Sequence, residues 1–343
     1  MVKIKGGIMV KDKLEIILIT YNRVVDLSCT LEQIFASDSP IKNFDITILN
    51  NASFDGTDEV ISKYQKKFPN LKHVRNPINI GGNANICRAY EMAALSGKEY
   101  AWVLCDDDVY DFKNWGEVEQ NIEAGKDIIC LSDYVFPSDK YKNNKAYQVF
   151  QLTFVPACIF KTSNIDDSII SNMYESIFSM FQQIVLVANV INNEKEIHVL
   201  SKPIVFNGLH FENKRTNRSY TRGTKRTEIT ERRRESNWVL GFSNIITLLN
   251  DKKIQQECLE VSIPYVDIYA SWRNFYVSII LKYFNRKGFN YFYEIYKRLK
   301  FKRKICLWIY FLIYKLPKVQ FIPFYVHSSI VYLKMKCHNL KCK

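Results

Sequence analysis

Residues Tyr100 to Val109 read Tyr-Ala-Trp-Val-Leu-Cys-Asp-Asp-Asp-Val. The apolar run has the length of one buried strand and ends abruptly in three carboxylates, Asp106, Asp107 and Asp108. A strand that is apolar on both faces belongs in the middle of a parallel sheet. Ligands of open α/β sheets sit just beyond the carboxyl ends of such strands. Adjacent like charges repel, so the triplet must be solvated or neutralised by a cation. Hard divalent ions such as Mg²⁺ or Mn²⁺ take oxygen ligands and often share a few carboxylates with a phosphate. An acidic turn leading into a helix near Phe112 would explain the triplet as well, so the flanking sequence has to decide.

Upstream, strand-like and helix-like patterns alternate. Leu14–Thr20 is a β-branched apolar run, and Val25, Leu27, Leu31, Ile34 and Phe35 then recur at helical spacing. Phe44–Leu49 reads as a second strand, followed by a turn-rich segment, Asn50–Thr57, and a helix from about Asp58 to Phe68. Leu71–Arg75 is a short third strand, and Asn76–Gly82 is a loop before a helix over Asn83–Leu95. The alternation predicts an α/β fold, a mostly parallel Rossmann-like sheet flanked by helices. Its four polar strand ends converge on one edge, where a nucleotide would bind.

The polar strand ends carry a further signal. Thr20-Tyr21-Asn22-Arg23, NNASFDGT at 50–57, RNPINIGGNANICRA at 75–89 and LCDDDV at 104–109 together resemble the N-terminal half of family-two glycosyltransferases of the GT-A fold. In that family the first two loops hold the base and ribose of a nucleoside-diphosphate sugar, the third lies against the nucleotide, and a DxD motif holds a divalent metal. By position, the resemblance implies that Thr20, Tyr21 and Arg23 line the base site and that Asp55 is the second acidic position. Asp55 reads equally well as a helix N-cap. Asn50 stands where the family usually has an aspartate, and an amide donates as well as accepts, which leaves the base open. Arg75 and Asn79 become nucleotide contacts, and Gly81 and Gly82 let the backbone approach closely. Asp106 and Asp108 match the DxD pair. Asp108 is the expected direct ligand of Mn²⁺ or Mg²⁺, with Asp106 near the ribose or a metal-bound water. Such a metal stabilises the departing nucleoside diphosphate, and a general base must deprotonate the acceptor hydroxyl on the opposite face of the sugar. The resemblance implies inversion at the anomeric carbon.

Farther along, Asp127–Ser132 and Val149–Phe160 read as strands, Tyr174–Ile191 as a helix and Ile197–Phe206 as a last strand. The family's catalytic acid falls near Gln182, which cannot act as a base. Glu175 is the nearest carboxylate and the candidate base, although a first-turn acid is also favoured by the helix dipole alone; Asp166 and Asp167 are the others. His210 is a candidate third metal ligand or an ordinary surface histidine.

The chain has 343 residues and a formal net charge of +13, enough length for one large core or two modest ones. Nine cysteines without a CxxC pair predict a reducing compartment and no disulfide framework, with Cys87, Cys105, Cys130 and Cys158 buried in apolar runs and Cys337 and Cys342 in a polar tail. The N-terminus lacks the apolar core of a signal peptide, and no stretch reaches the ~18 uncharged apolar residues of a membrane span. The positive charge is concentrated late. Asn213–Ser236 holds nine Lys and Arg, and Leu299–Lys343 contains no Asp or Glu. Segments 238–249, 265–284 and 289–299 read as helices crowded with aromatics. The stretch Lys300–Tyr332, cationic and rich in Trp and Tyr, fits a helix lying among lipid headgroups, or a core helix with a basic rim.

These readings combine into a GT-A domain at 1–215 and a helical, basic, membrane-associating region at 216–343. The expected activity is metal-dependent sugar transfer from a nucleoside diphosphate, with UDP first in line, to a glycan or lipid-linked acceptor in bacterial surface polysaccharide synthesis. The expected location is the cytoplasmic face of a membrane, on an anionic lipid surface. No recognised nucleic-acid module is present. A nucleotidyltransferase, or a non-catalytic nucleotide-sugar or membrane binder of the same fold, are the alternatives. Donor identity, acceptor and oligomeric state stay open.

Overall fold

The computed structural model describes residues 9–132, 142–208 and 241–269. The chain divides into two compact units, Met1–Lys225 with Gly241–Val261, and Arg226–Leu240 with Ser262–Lys343. Nearly all described residues belong to the first unit. The basic segment Asn213–Ser236, His210 and the tail beyond Tyr269 lie outside them.

A short helix α1 (Val10–Lys13) leads into β1 (Leu14–Thr20), α2 (Val24–Ile34), β2 (Ile46–Asn50), α3 (Thr57–Gln65), β3 (Leu71–Arg75), α4 (Gly82–Leu95) and β4 (Tyr100–Cys105). These strands pair in parallel in the order β3-β2-β1-β4. The register sets the site: Thr20 lies beside Asn50, Asn50 beside Arg75, and Ile19 beside Cys105, so four strand ends finish in one row.

After β5 (Val109–Tyr110) come α5 (Trp115–Glu123), β6 (Ile128–Cys130), α6 (Lys145–Gln151), β7 (Cys158–Lys161), α7 (Asp167–Glu175), α8 (Ile184–Asn192), β8 (Ile197–Val199), β9 (Val205–Phe206) and α9 (Lys252–Tyr269). Strand β7 adds antiparallel to β4 and completes the sheet with β6 and β8. Strands β5 and β9 form a separate antiparallel pair. Among the described residues no helix is long and apolar enough to cross a membrane, and the described cysteines are free.

The core forms because both faces of the central strands are apolar. Leu14, Ile16 and Leu18 of β1 and Trp102 and Leu104 of β4 are fully buried with Leu27, Leu31 and Ile34 of α2. Trp102 stacks on Trp115 at 6.1 Å and donates its indole N–H to the Pro156 carbonyl at 3.0 Å, so its one polar atom is satisfied. On the other face Tyr90 of α4 stacks on Phe160 of β7 at 4.9 Å.

Three sequence expectations are corrected. Val149–Phe160 is not one strand. Asn144 caps α6 by accepting from the Tyr147 N–H, the helix runs to Gln151, a 3₁₀ turn holds Pro156, and only Cys158–Lys161 is extended. An unbroken apolar run does not distinguish helix from strand, and Pro156 has no N–H for a ladder. Tyr174–Ile191 is not one helix. It breaks at Ile177–Ser179 and at Met180, whose φ is 67°, with no Gly or Pro to announce it. Ile197–Phe206 splits because Glu117 takes the Ser201 N–H and hydroxyl, which turns the chain away from β8.

Glu15, inside β1, is buried and accepts from the Thr47 hydroxyl at 2.8 Å. Burial raises its pKa above the usual range, opposed by the Thr47 bond and by Lys72. A carboxyl with a raised folded pKa costs stability as pH rises through that value, and costs nothing below the unfolded one. Glu15→Gln keeps an acceptor for Thr47 and removes the charge. It is expected to raise the melting temperature by roughly 2 °C or more at pH 8 and to lose the advantage in acid, as calorimetry across pH would record.

Candidate active site

Because Ile19 pairs with Cys105, the first aspartate past β4 lies opposite the end of β1. Asp106 is 2% exposed and accepts from the Thr20 hydroxyl at 2.6 Å and from Arg23 Nη1 at 2.9 Å. The same nitrogen meets Asp107 Oδ2 at 2.7 Å, so one guanidinium bridges two neighbouring carboxylates. Thr30, one face of α2 below, donates to the Asp106 carbonyl at 2.8 Å. Burial pushes the Asp106 carboxyl up to about 7, against the pull of Arg23 and helped by Asp107. For Arg23, burial alone would ease deprotonation, and the two aspartates more than reverse it. Asp108 is 3% exposed and accepts from the Gly208 N–H at 3.2 Å.

The ligand atoms of Cys105, Asp107 and Asp108 lie within 4.8 Å of one another. Burial, with the three aspartates, holds the Cys105 thiol well above its ordinary pKa, so it stays protonated and is a poor partner for a hard cation. Two carboxylates offer the hard oxygen ligands that Mg²⁺ or Mn²⁺ takes. The sequence paired Asp106 with Asp108; the geometry groups Asp107 with Asp108 and commits Asp106 to Thr20 and Arg23.

The loops after β1 and β2 are laced together. The Asn22 N–H donates to Ser53 Oγ, and the Phe54 N–H to Asn22 Oδ1, both at 2.9 Å. Asn22 and Ala52 sit at φ 48° and 63°, where side chains other than glycine are strained. Tyr21 and Phe54 meet edge-to-face at 6.5 Å, with Phe54 82% exposed. Asp55 accepts from the Val24 N–H at 3.0 Å and from Thr57, joining the first turns of α2 and α3 rather than serving as a simple cap.

Asn50 is fully buried. Its amide donates to Asp58 at 2.7 Å, and its carbonyl takes the Ser53 N–H at 2.9 Å. Arg75 donates to Asp58 at 3.0 Å and to the Ser53 carbonyl at 2.8 Å. Asn50 and Arg75 therefore brace the second loop. Asn79 accepts from Asn51 and from the Gly81 N–H, both at 2.8 Å, in an exposed loop. Gly81 at φ 88° admits only glycine without strain, and the space beside Gly81 and Gly82 is open.

On the acceptor side Glu175 is exposed at the end of α7. Asn83 donates to the Ile177 carbonyl at 2.8 Å and so ties this turn to the start of α4, on the same edge as the acidic triplet. Asp166 caps α7 through the Ile169 N–H. Gln182 is fully buried, and Gln183 donates to the Thr153 carbonyl at 2.7 Å. His210 lies outside the described residues. Thr30 and Gly208 support the site without any sequence signal, since each matters only through a partner distant in the chain. A cavity of about 610 Å³ between α2 and β5, lined by Gln33, Ser39, Tyr110 and Phe112 among others, shares no residue with this site.

The family described as Glycosyl transferase family 2 matches residues 15–188. Among solved structures, the mannosyltransferase PcManGT from Pyrobaculum calidifontis, in complex with GDP-Man and Mn²⁺, is similar at TM-score 0.50 and 12% identity, over 80% of this chain and 77% of that one. S. aureus TarS 1–349 aligns at TM-score 0.46 and 16% identity, over 80% and 92%. No curated protein matches the sequence.

Arg23→Met is expected to cost about 1–3 kcal/mol, because it leaves Asp106 buried without its cation. The cost should shrink as pH falls below about 7, where Asp106 takes up a proton, which denaturant melts on either side of that pH would measure. Asn50→Asp would set a carboxylate 2.7 Å from Asp58. A loss of about 1–3 kcal/mol at neutral pH, fading in acid, is expected from the same melts.

Proposed function

We propose that this chain, which belongs to glycosyl transferase family 2, is a divalent-metal-dependent, inverting transferase. It would move a sugar from a nucleoside diphosphate to a glycan or lipid-linked acceptor in surface polysaccharide synthesis, working at the inner face of a membrane. UDP-sugars are the first donors to test. The observation that carries the reading is the meeting, on one sheet edge, of the acidic triplet past β4 with the laced loops past β1 and β2 and the open glycine turn past β3.

Each residue then has a task. Tyr21 offers its ring to the base, and Asn79 and Gly81 present an exposed loop to the nucleotide. Asn50, Asp55 and Arg75 keep the base loops in shape through Ser53, Val24 and Asp58. Asp106 with Thr20 and Arg23 orients the triplet, and Asp108 with Asp107 would hold the cation, His210 being a further candidate ligand. A divalent ion held there would supply charge neutralisation for a departing diphosphate. The acceptor oxygen bonds to the anomeric carbon as the bond to the diphosphate breaks. Its proton passes to a base on the acceptor side, for which Glu175 is the proposed residue. PcManGT shares the fold and holds GDP-Man with Mn²⁺, which supports testing a GDP-sugar beside the UDP-sugars, and that metal.

Asp108→Ala is expected to lower donor hydrolysis and transfer roughly a hundredfold or more with Mn²⁺ present, while leaving the melt cooperative. Unchanged turnover would remove Asp108 from metal binding. Glu175→Gln should lower kcat with donor KM held, and an unaltered kcat would dismiss it as the base.

A further inference from the structure

The cavity of about 610 Å³ between α2 and β5 has no part in the proposed transfer. Its lining nevertheless reaches the acidic triplet along two routes. Val109 follows Asp108 directly and pairs across strands with Phe206, two residues before the Gly208 that bonds Asp108. Thr30, which donates to the Asp106 carbonyl, lies one turn of α2 before Gln33, which accepts from the Tyr110 N–H at 3.2 Å. The cavity therefore adjoins the triplet through β5, β9 and α2.

Ser39, on the cavity wall, is 5% exposed, and its hydroxyl has no hydrogen-bond partner. A buried hydroxyl left unpaired carries a cost that a bound group can relieve. Rotation about a single bond lets it meet a ligand atom in the cavity. Gln33 gives one amide hydrogen to the Cys29 carbonyl at 3.2 Å, and its amide carries two. The wall thus offers donors. It also offers acceptors, the carboxylates of Asp38 and Asp111, with Lys113 held on Asp111 at 3.0 Å. An anion would meet two carboxylates and an ammonium already paired. A bare cation would leave the O–H and N–H donors idle. Hydroxyl groups donate and accept at once and suit both kinds of partner. The rest of the lining is apolar, and Tyr110 and Phe112 lie parallel there at 6.3 Å, together with Phe206. The negative face of an aromatic ring attracts C–H groups. A sugar ring combines hydroxyls around its rim with C–H groups on its faces. We propose that the cavity binds an uncharged sugar unit of a glycan, with a C–H face on Phe112 and Phe206 and hydroxyls on Ser39, Gln33 and Asp38. The proposal rests on the transferase reading for its purpose alone, since a glycan held here would be anchored beside the triplet while its end is extended.

The test offers the full chain four uncharged glycans, maltotetraose, cellotetraose, mannotetraose and chitotetraose. Saturation-transfer NMR measures their binding, and hydrogen exchange reports which backbone they cover. At least one is expected to bind, to protect 36–39 and 109–113, and to stay bound with UDP and Mn²⁺ in excess. Ala36→Trp, which fills the cavity, should weaken that binding roughly tenfold or more. Ser39→Ala should weaken it about threefold or more, with a melting temperature unchanged or higher because the orphaned hydroxyl is gone. Failure of all four glycans to bind, full displacement by UDP, protection lying elsewhere, or undiminished binding by both variants would each overturn the proposal. If Ala36→Trp does not melt cooperatively, Ser39→Ala and the exchange pattern decide. Donor hydrolysis measured without glycan separates the two readings. Its absence beside variant-dependent glycan binding removes the transferase reading and leaves the cavity's role standing; hydrolysis without glycan binding does the reverse.

Discussion

One guanidinium between two carboxylates is the interaction on which the site depends. Arg23 Nη1 lies 2.9 Å from Asp106 and 2.7 Å from Asp107, while Asp106 itself is all but inaccessible to water. A buried, ionised carboxylate without a partner would shed its charge. Arg23 and the Thr20 hydroxyl pull against burial, which still carries the carboxyl up to about 7, and together they fix Asp106 as a post at the end of β4. Asp107 shares that guanidinium, and Asp108 takes the Gly208 N–H. Asp107 and Asp108 turn toward each other and Cys105, in a grouping whose hard ligands suit a divalent ion.

The same division between bracing and presenting runs along the edge. Asn50, Asp55 and Arg75 spend their polar atoms on Ser53, Asp58, Val24 and Thr57. Tyr21, Phe54, Asn79 and the two glycines are left facing outward. Strain at Asn22 and Ala52 is tolerated because hydrogen bonds across the two loops over-determine their backbone. Asn50 also explains its own departure from the usual aspartate. Asp58 already occupies the neighbouring position, and an amide can donate to it where a second carboxylate would repel it.

Much of the fold was legible in the residues. The strands Leu14–Thr20 and Tyr100–Cys105 coincide with their apolar runs, because a strand buried on both faces has to be apolar throughout, while the edge strand Leu71–Arg75 buries only Leu71. The second half was less readable. Val149–Phe160 and Tyr174–Ile191 are apolar without a clear period, and the breaks within them come from Asn144, Pro156 and the left-handed Met180. In the site, the acidic triplet and Arg23 were visible as residue types, but their pairing was not.

Sequence alone determined which residues end the strands and that the acids, glycines and aromatic loops would gather on a single edge, since parallel strands joined by helical crossovers must all finish on the same side. Tertiary structure decided the partners: Arg23 between Asp106 and Asp107, Asn50 on Asp58, and Phe178 brought beside the start of α4. Those contacts join residues as much as 94 positions apart. They depend on register and on the direction in which each buried polar atom finds its hydrogen bond, which no local pattern in the chain encodes.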